Sequence, residues 1–190
     1  MKNNEKVRHF EYKKSSANDF KKALIRIGVS KRFGGIGVFA VRNLKKGQMI
    51  ADVDLMREEL FFPWKEFEKI DKESREMISA FCAESAEGFY APRDINHISI
   101  PWHMNHCCDG NIGFDSQGNF VTIKNVKAGD ELCYDYGFVK TNPKFRLKCK
   151  CKSKNCRKII TGDDWKNLEY RKKNIRHMSP DVIELIQKEG

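Results

Sequence analysis

Apolar and polar positions along this chain alternate in short segments, most of them of strand length. Gly37-Val38-Phe39-Ala40-Val41 and Met49-Ile50-Ala51-Asp52-Val53-Asp54-Leu55 predict two strands separated by a turn at Lys45-Lys46-Gly47. From Trp64 to Cys82 the period changes. Phe67, Ile70, Met77, Ile78 and Phe81 recur at helical spacing with charges between them, which predicts an acidic helix. His97-Ile98-Ser99-Ile100 and Phe120-Val121-Thr122-Ile123 read as strands, the second entered through a turn at Ser116-Gln117-Gly118-Asn119. Ala128-Gly129-Asp130 then turns the chain into a strand from Glu131 to Tyr136. The C-terminal residues are polar and helical, and Ser179-Pro180-Asp181 offers a cap and a first-turn proline ahead of Val182, Ile183, Leu185 and Ile186. Short strands with one helical insert predict a mostly-β, α+β fold.

A chain of 190 residues can bury one core of its own. Its apolar runs are far shorter than the ~18 residues of a membrane span, and its lysine-rich start lacks the apolar segment of a signal peptide. The expected setting is intracellular, in nucleus or cytoplasm, with no membrane partner. Seven cysteines are an odd number for a disulfide framework and fit a reducing compartment.

The net charge of +10 suggests polyanion binding, but it is unevenly spread. Residues 1 to 51 carry 13 Lys+Arg against 3 Asp+Glu, residues 52 to 94 carry 6 against 12, and residues 95 to 190 carry 17 against 11. The basic start, with Lys2, Lys6, Arg8, Lys13 and Lys14, reads as an arm that could touch nucleic acid. The acidic middle, Glu58, Glu59, Glu66, Glu68, Asp71, Glu73 and Glu76, would suit a basic peptide. Solvated faces with no partner account for either run equally well.

Cys149-Lys150-Cys151 and Cys156 place three soft ligands within eight residues of a lysine-rich stretch. Structural zinc takes four such ligands, so one must come from elsewhere; free surface thiols are the bland alternative. Gly35-Ile36-Gly37 alone reads as a turn, and no Gly-Lys-Ser/Thr follows to make it a phosphate loop. Tyr134 and Tyr136 fall on one face of the predicted strand, as core tyrosines do.

Order along the chain joins these signals. Gly35-Ile36-Gly37 precedes Asn105-His106-Cys107-Cys108-Asp109-Gly110-Asn111, which precedes Glu131-Leu132-Cys133-Tyr134-Asp135-Tyr136 and then Cys149-x-Cys151-x4-Cys156. In that order they resemble the SET-domain protein-lysine methyltransferases, whose strings are G-x-G, N-H-S-C-x-P-N, E-L-x-[YF]-D-Y and a post-SET C-x-C-x4-C. The resemblance covers about residues 30 to 160. It implies a SET-domain β-fold of small curved sheets with a C-terminal pseudoknot. It also implies a basic arm at 1–24, a catalytic domain at 25–140 with its insert at about 58–95, a post-SET zinc segment at 141–165 and a helical tail at 166–190.

The same resemblance implies roles. Gly35, Ile36, Gly37, Asn105, His106 and Tyr136 would hold the methyl donor S-adenosylmethionine. Tyr136 would be the catalytic tyrosine and Tyr134 the residue that limits methyl number. Cys108 would complete a structural Zn2+ site with Cys149, Cys151 and Cys156. The acceptor would be a lysine in a basic protein or histone-like tail, mono- or dimethylated. Trp102, Cys107 and Gly110 depart from the usual arginine, serine and proline. Ile159, Ile160 and Trp165 are the candidates to cover the adenine, and Tyr90, Phe89 and Phe138 are weaker channel candidates than core residues. A SET-like scaffold without catalysis and a zinc-stabilised nucleic-acid module are the competing readings; oligomeric state is not legible.

Overall fold

The computed structural model describes residues 23–52 and 59–189. The basic arm, Glu58 and the second half of the strand predicted at 49–55 lie outside the described residues or largely so. The strands are β1 (Ile25–Val29), β2 (Ile36–Ala40), β3 (Met49–Ala51), β4 (Glu59–Pro63), β5 (Ala83–Glu84), β6 (Gly88–Pro92), β7 (Asn105–His106), β8 (Ile112–Phe114), β9 (Phe120–Thr122), β10 (Glu131–Tyr134), β11 (Arg146–Lys148) and β12 (Ile159–Thr161). The helices are α1 (Trp64–Phe67), α2 (Lys72–Phe81), α3 (Leu168–Asn174) and α4 (Pro180–Glu189). Strands dominate and are gathered in small sheets, as the α+β reading requires.

The main sheet runs β1-β2-β10-β8-β9-β3, and β7 also pairs with β10. Strand β10 is its hub. It lies antiparallel to β2 through Leu132 and Val38, and parallel to β7 through Cys133 opposite Asn105 and Tyr134 opposite His106. Asn111 pins this junction by accepting from the Cys133 N–H at 3.0 Å and donating to the Glu131 carbonyl at 3.0 Å. The pairing therefore brings together motifs that are distant in sequence.

Val38, Leu132, Ile112, Phe114 and Met104 fill the main core, and Trp165, Met178 and Val182 from the C-terminal region join it. Helix α4 packs with Ile183, Leu185 and Ile186 against the same cluster. The Ser179 hydroxyl accepts from the Val182 N–H at 3.5 Å, so the predicted cap forms, and Pro180 opens the helix where its missing N–H costs nothing.

Three local expectations are corrected. The single helix expected from Trp64 to Cys82 is two helices, because Asp71 leaves the helical conformation and caps α2 by accepting from the Ser74 N–H at 2.8 Å. The acidic insert is also not purely helical. β4, β6 and β5 form a separate sheet that the period-3.6 reading concealed. Residues 97–100 are not a strand: Ile100–His103 form a 3-10 turn with Pro101 in its first positions, consistent with proline's fixed φ and missing donor.

Candidate functional site

The turn between β1 and β2 places Gly35 at φ +74°, a conformation that favours glycine. Gly37 faces a tight junction. A Cβ there would lie 2.4 Å from Glu131 Oε1 and 3.1 Å from Asn105 Nδ2. The Asn105 amide donates to the Ile36 carbonyl at 2.9 Å and to Glu131 Oε1 at 3.0 Å, while Ser30 Oγ donates to Glu131 Oε2 at 3.0 Å. Thus Gly35, Ile36, Gly37 and Asn105 come together around a carboxylate that the motif reading did not single out. Gly34, Gly35 and Ile36 are exposed, leaving the turn's outer face open.

His106 lies one residue beyond Asn105 and is buried. Its Nδ1 accepts from the Tyr136 N–H at 3.1 Å, so its proton sits on Nε2, which faces Cys108 Sγ at 3.3 Å. Burial lowers its pKa to about 4 against the opposing pull of Asp135. A neutral imidazole thereby links the backbone of Tyr136 to Cys108.

Strand β10 ends at Tyr134, and Tyr136 begins a 3-10 turn over Tyr136–Phe138. The rings nonetheless remain neighbours, with centroids 5.1 Å apart. The Tyr136 hydroxyl donates to the Met104 carbonyl at 3.0 Å, next to Asn105. Burial pushes the Tyr136 phenol up to about 12 and Tyr134 well above its ordinary value. Both hydroxyls are neutral donors at physiological pH.

The sulfurs of Cys108, Cys149, Cys151 and Cys156 all lie within 4.8 Å of one another. Cys108 and Cys149 are 3.8 Å apart, and tetrahedral zinc with Zn–S bonds of about 2.3 Å separates its sulfurs by about 3.8 Å. Backbone donors also point at these sulfurs: Arg157 N–H to Cys108 at 3.4 Å, Cys151 N–H to Cys149 at 3.3 Å and Lys158 N–H to Cys156 at 3.4 Å. Lys152 and Lys158 adopt positive φ of 56° and 68° in this segment. Donors aimed at sulfur and a backbone bent around it suit thiolate ligands, so the quartet fits a metal ion. Cys107 lies outside it, buried among Cys133 and Cys151 with the Arg32 guanidinium 3.4 Å from its sulfur. Cys82 and Cys133 are buried as well.

Two cations have partners that the sequence reading did not foresee, Arg157 being expected only to offset the thiolate charge along with Lys148, Lys150, Lys152, Lys154 and Lys158. Arg157 follows the last cysteine, and its guanidinium binds both Asp135 oxygens, Nη1 to Oδ2 at 2.5 Å and Nη2 to Oδ1 at 2.6 Å. It also reaches Asp164 and lies 4.7 Å from the Tyr170 ring centroid. Lys140 is 8% exposed and donates to the Cys82 carbonyl at 3.2 Å, with Glu84 at 4.0 Å. A basic residue after C-x-C-x4-C and the buried aspartate of Y-D-Y were the available signals for the first; the second had none.

Other candidates separate by burial. Ile160 and Trp165 are core residues, whereas Ile159 is 57% exposed. Phe89 and Phe138 are buried, while Tyr90 sits outside, 5.1 Å from Phe61. Trp102 packs on the insert's own apolar cluster.

A strand-rich fold whose hub strand gathers a glycine turn, an Asn-His pair, two tyrosines and four thiols defines a class. The family model of the SET domain matches residues 35–137, more than half of the chain, and the protein belongs to that family. It is 28% identical over 137 residues to human "histone-lysine N-methyltransferase 2D", across 67% of this chain and 2% of that protein. It is 27% identical over 137 residues to the "probable histone-lysine N-methyltransferase set-23" of Caenorhabditis elegans, across 66% of this chain and 55% of that one. The chain thus spans less than two thirds of the length of these relatives. A crystal structure of the Polycomb Repressive Complex 2 of Chaetomium thermophilum matches at 22% identity and a TM-score of 0.43, over 60% of this chain and 15% of that one.

Proposed function

We propose that the protein is an S-adenosylmethionine-dependent protein-lysine N-methyltransferase. The observation that carries this reading is the Tyr136 hydroxyl, held on the Met104 carbonyl between Tyr134 and the Asn105-His106 pair. The glycine turn and Asn105 would receive the donor, whose sulfonium supplies the methyl group. Residues 25–140 would form the catalytic domain, 141–165 the zinc segment and 166–190 the tail. Cys108, Cys149, Cys151 and Cys156 would hold Zn2+ as a structural ion, clamping the tail against His106 without entering the chemistry.

Methyl transfer is an in-line displacement, so the protein contributes mainly by positioning and by excluding water. The acceptor amine must be neutral, although a free lysine has a pKa of about 10.4. Loss of water in a site walled by Tyr134, Tyr136 and Phe145 disfavours the ammonium, and the proton leaves to water. Tyr136, with its phenol raised to about 12, orients the amine instead of acting as its base. Tyr134 narrows the space beside it, which favours mono- or dimethyl-lysine. The acidic insert suits a basic protein, and the names of the relatives point to a histone-like tail and hence to the nucleus.

Calorimetry with S-adenosylmethionine on zinc-loaded protein, paired with a methyl-release assay on lysine-rich proteins, tests this reading. Tyr136→Phe is expected to keep donor binding and lose about 100-fold or more in rate; Tyr134→Phe is expected to shift products toward higher methylation. Well-folded protein that binds no donor would leave a scaffold. If it also binds DNA or RNA with a steep salt dependence, the exposed Lys148, Lys150, Lys152 and Lys154 beside the cysteines become the functional surface.

A further inference from the structure

Lys140 carries a buried amine, its side chain 8% exposed, on the turn that begins at Tyr136. Its carboxylate partner is distant: Glu84 Oε2 stands 4.0 Å away and Glu84 is engaged by the Asn142 amide through its other oxygen. Nζ also donates to the Cys82 carbonyl at 3.2 Å and faces two aromatic rings. The ring centroids of Tyr136 and Phe145 lie 5.9 and 5.3 Å from Nζ, and 6.5 Å from each other. The amine thus lies against the ring of the tyrosine that would orient the acceptor, beside the proposed site of transfer. The tether is short as well, because the Lys140 N–H donates to the Tyr136 carbonyl at 2.8 Å and fixes the turn that carries both.

We propose that Lys140 is itself a methyl acceptor, modified in cis at the site served by Tyr136. This rests on the methyltransferase reading above. In the step, the neutral Nζ lone pair forms the new N–C bond as the donor's C–S bond breaks, and the bonding pair returns to sulfur, leaving a neutral thioether. The amine has already given its proton to water. Burial aids that loss by lowering the Lys140 pKa to about 8, although Glu84 and Cys82 pull the other way. Covalent attachment to the same turn gives the reaction the high effective concentration of an intramolecular process. An outside lysine has to displace this amine, so Lys140 also competes with substrate. Added methyl groups keep the charge but crowd the bond to Cys82, which joins the turn to the insert.

The experiment is incubation of the full zinc-loaded chain with S-adenosylmethionine and no other acceptor, followed by intact-mass analysis and peptide mapping. Methylation mapped to Lys140 is expected, with a first-order rate that does not change when the protein is diluted. Lys140→Arg and Lys140→Gln should remove it, and so should Tyr136→Phe, whose melting temperature and donor affinity verify that the site is intact. A protein that binds donor and methylates added lysine-rich protein but leaves Lys140 unmodified overturns the proposal. So does a rate that rises with protein concentration, since that is transfer between molecules. Absence of donor binding is a distinct result: it removes the methyltransferase reading and the proposal with it.

Discussion

The main sheet and the insert solve the same problem of a small apolar core in different ways. Around β10, four separate parts of the chain converge: Gly37, the Asn105 to Cys108 segment, Tyr134 to Tyr136, and Arg157 from beyond the cysteines. Polar contacts between them are buried and specific, including the His106 link and the Arg157–Asp135 pair. The insert instead depends on Phe67, Ile78, Phe89 and Ala91 with Trp64 against them, a local cluster of its own. Polar contacts join the two across Lys140 with Cys82, Asn142 with Glu84, and Thr141 with the Ala86 N–H. The polar network is thus concentrated around β10, and the insert is joined to it by a short polar seam.

Removing the metal proposed for the cysteine quartet should break this contrast most strongly. Binding of structural zinc to small thiolate sites is worth ~10 kcal/mol or more in apparent terms, and the quartet ties residues 149–158 to the strand carrying His106. Chelation, or Cys108→Ser, is expected to abolish donor binding and deprotect the tail and β7–β10 in hydrogen exchange. Protection in β4 and β6 should change far less. Equal loss in both regions would mean that the insert has no independent core.

Arg157→Met comes next. It strands the Asp135 carboxylate, 3% exposed, beside His106 and the Gly137 N–H, and breaking a buried ion pair by removing one partner costs ~3–5 kcal/mol. Denaturant unfolding should register that loss, with a parallel fall in catalytic rate because Asp135 caps the turn that carries Tyr136. Arg157→Lys should recover only part of it, since a lysine cannot make the two-pronged contact. Phe89→Ala probes the other region. Phe89 is 2% exposed and stacks on Phe67 with centroids 4.6 Å apart, so truncation should cost ~3 kcal/mol. Donor affinity should hold while the Michaelis constant for peptide rises. A fall in donor affinity would show that the two cores are not separable.

How far the sequence could be read follows the same division. The glycine turn, the Asn-His pair, the tyrosines and all four cysteines sit in strings whose order carries information, and the structure brings the cysteines into one cluster. Their partners were invisible for a physical reason. Glu131 meets Asn105, and Arg157 meets Asp135, through strand pairings that no local periodicity encodes. Within the insert, periodicity misled: apolar residues at helical spacing concealed the capping stop at Asp71, and the strands β4 and β6 carry neighbouring aromatic residues, Phe61-Phe62 and Phe89-Tyr90, instead of a clean alternation. Lys140 resembles any surface lysine until Cys82 and Phe145 close around it.

The smallest expected effect concerns the insert's charge. Glu66, Glu68, Glu73 and Glu76 are exposed, and two of them already face nearby lysines, Glu66 with Lys69 at 2.7 Å and Glu76 with Lys72 at 3.8 Å. Exposed pairs of this kind contribute well under ~1 kcal/mol each, so replacing Glu68 and Glu73 with lysine should leave the melting temperature nearly unchanged. Substrate encounter is more sensitive, because it responds to the summed field of the face and not to single contacts. The expected outcome is a severalfold rise in the Michaelis constant for a lysine-rich peptide at low salt, fading as ionic strength shortens the screening length toward ~8 Å. Methylation of the chain's own Lys140 should be indifferent to the same change, because that amine never arrives from solution. If both reactions slow together, the acidic face shapes the site itself and not the approach to it, and the separation between insert and chemistry fails at that point.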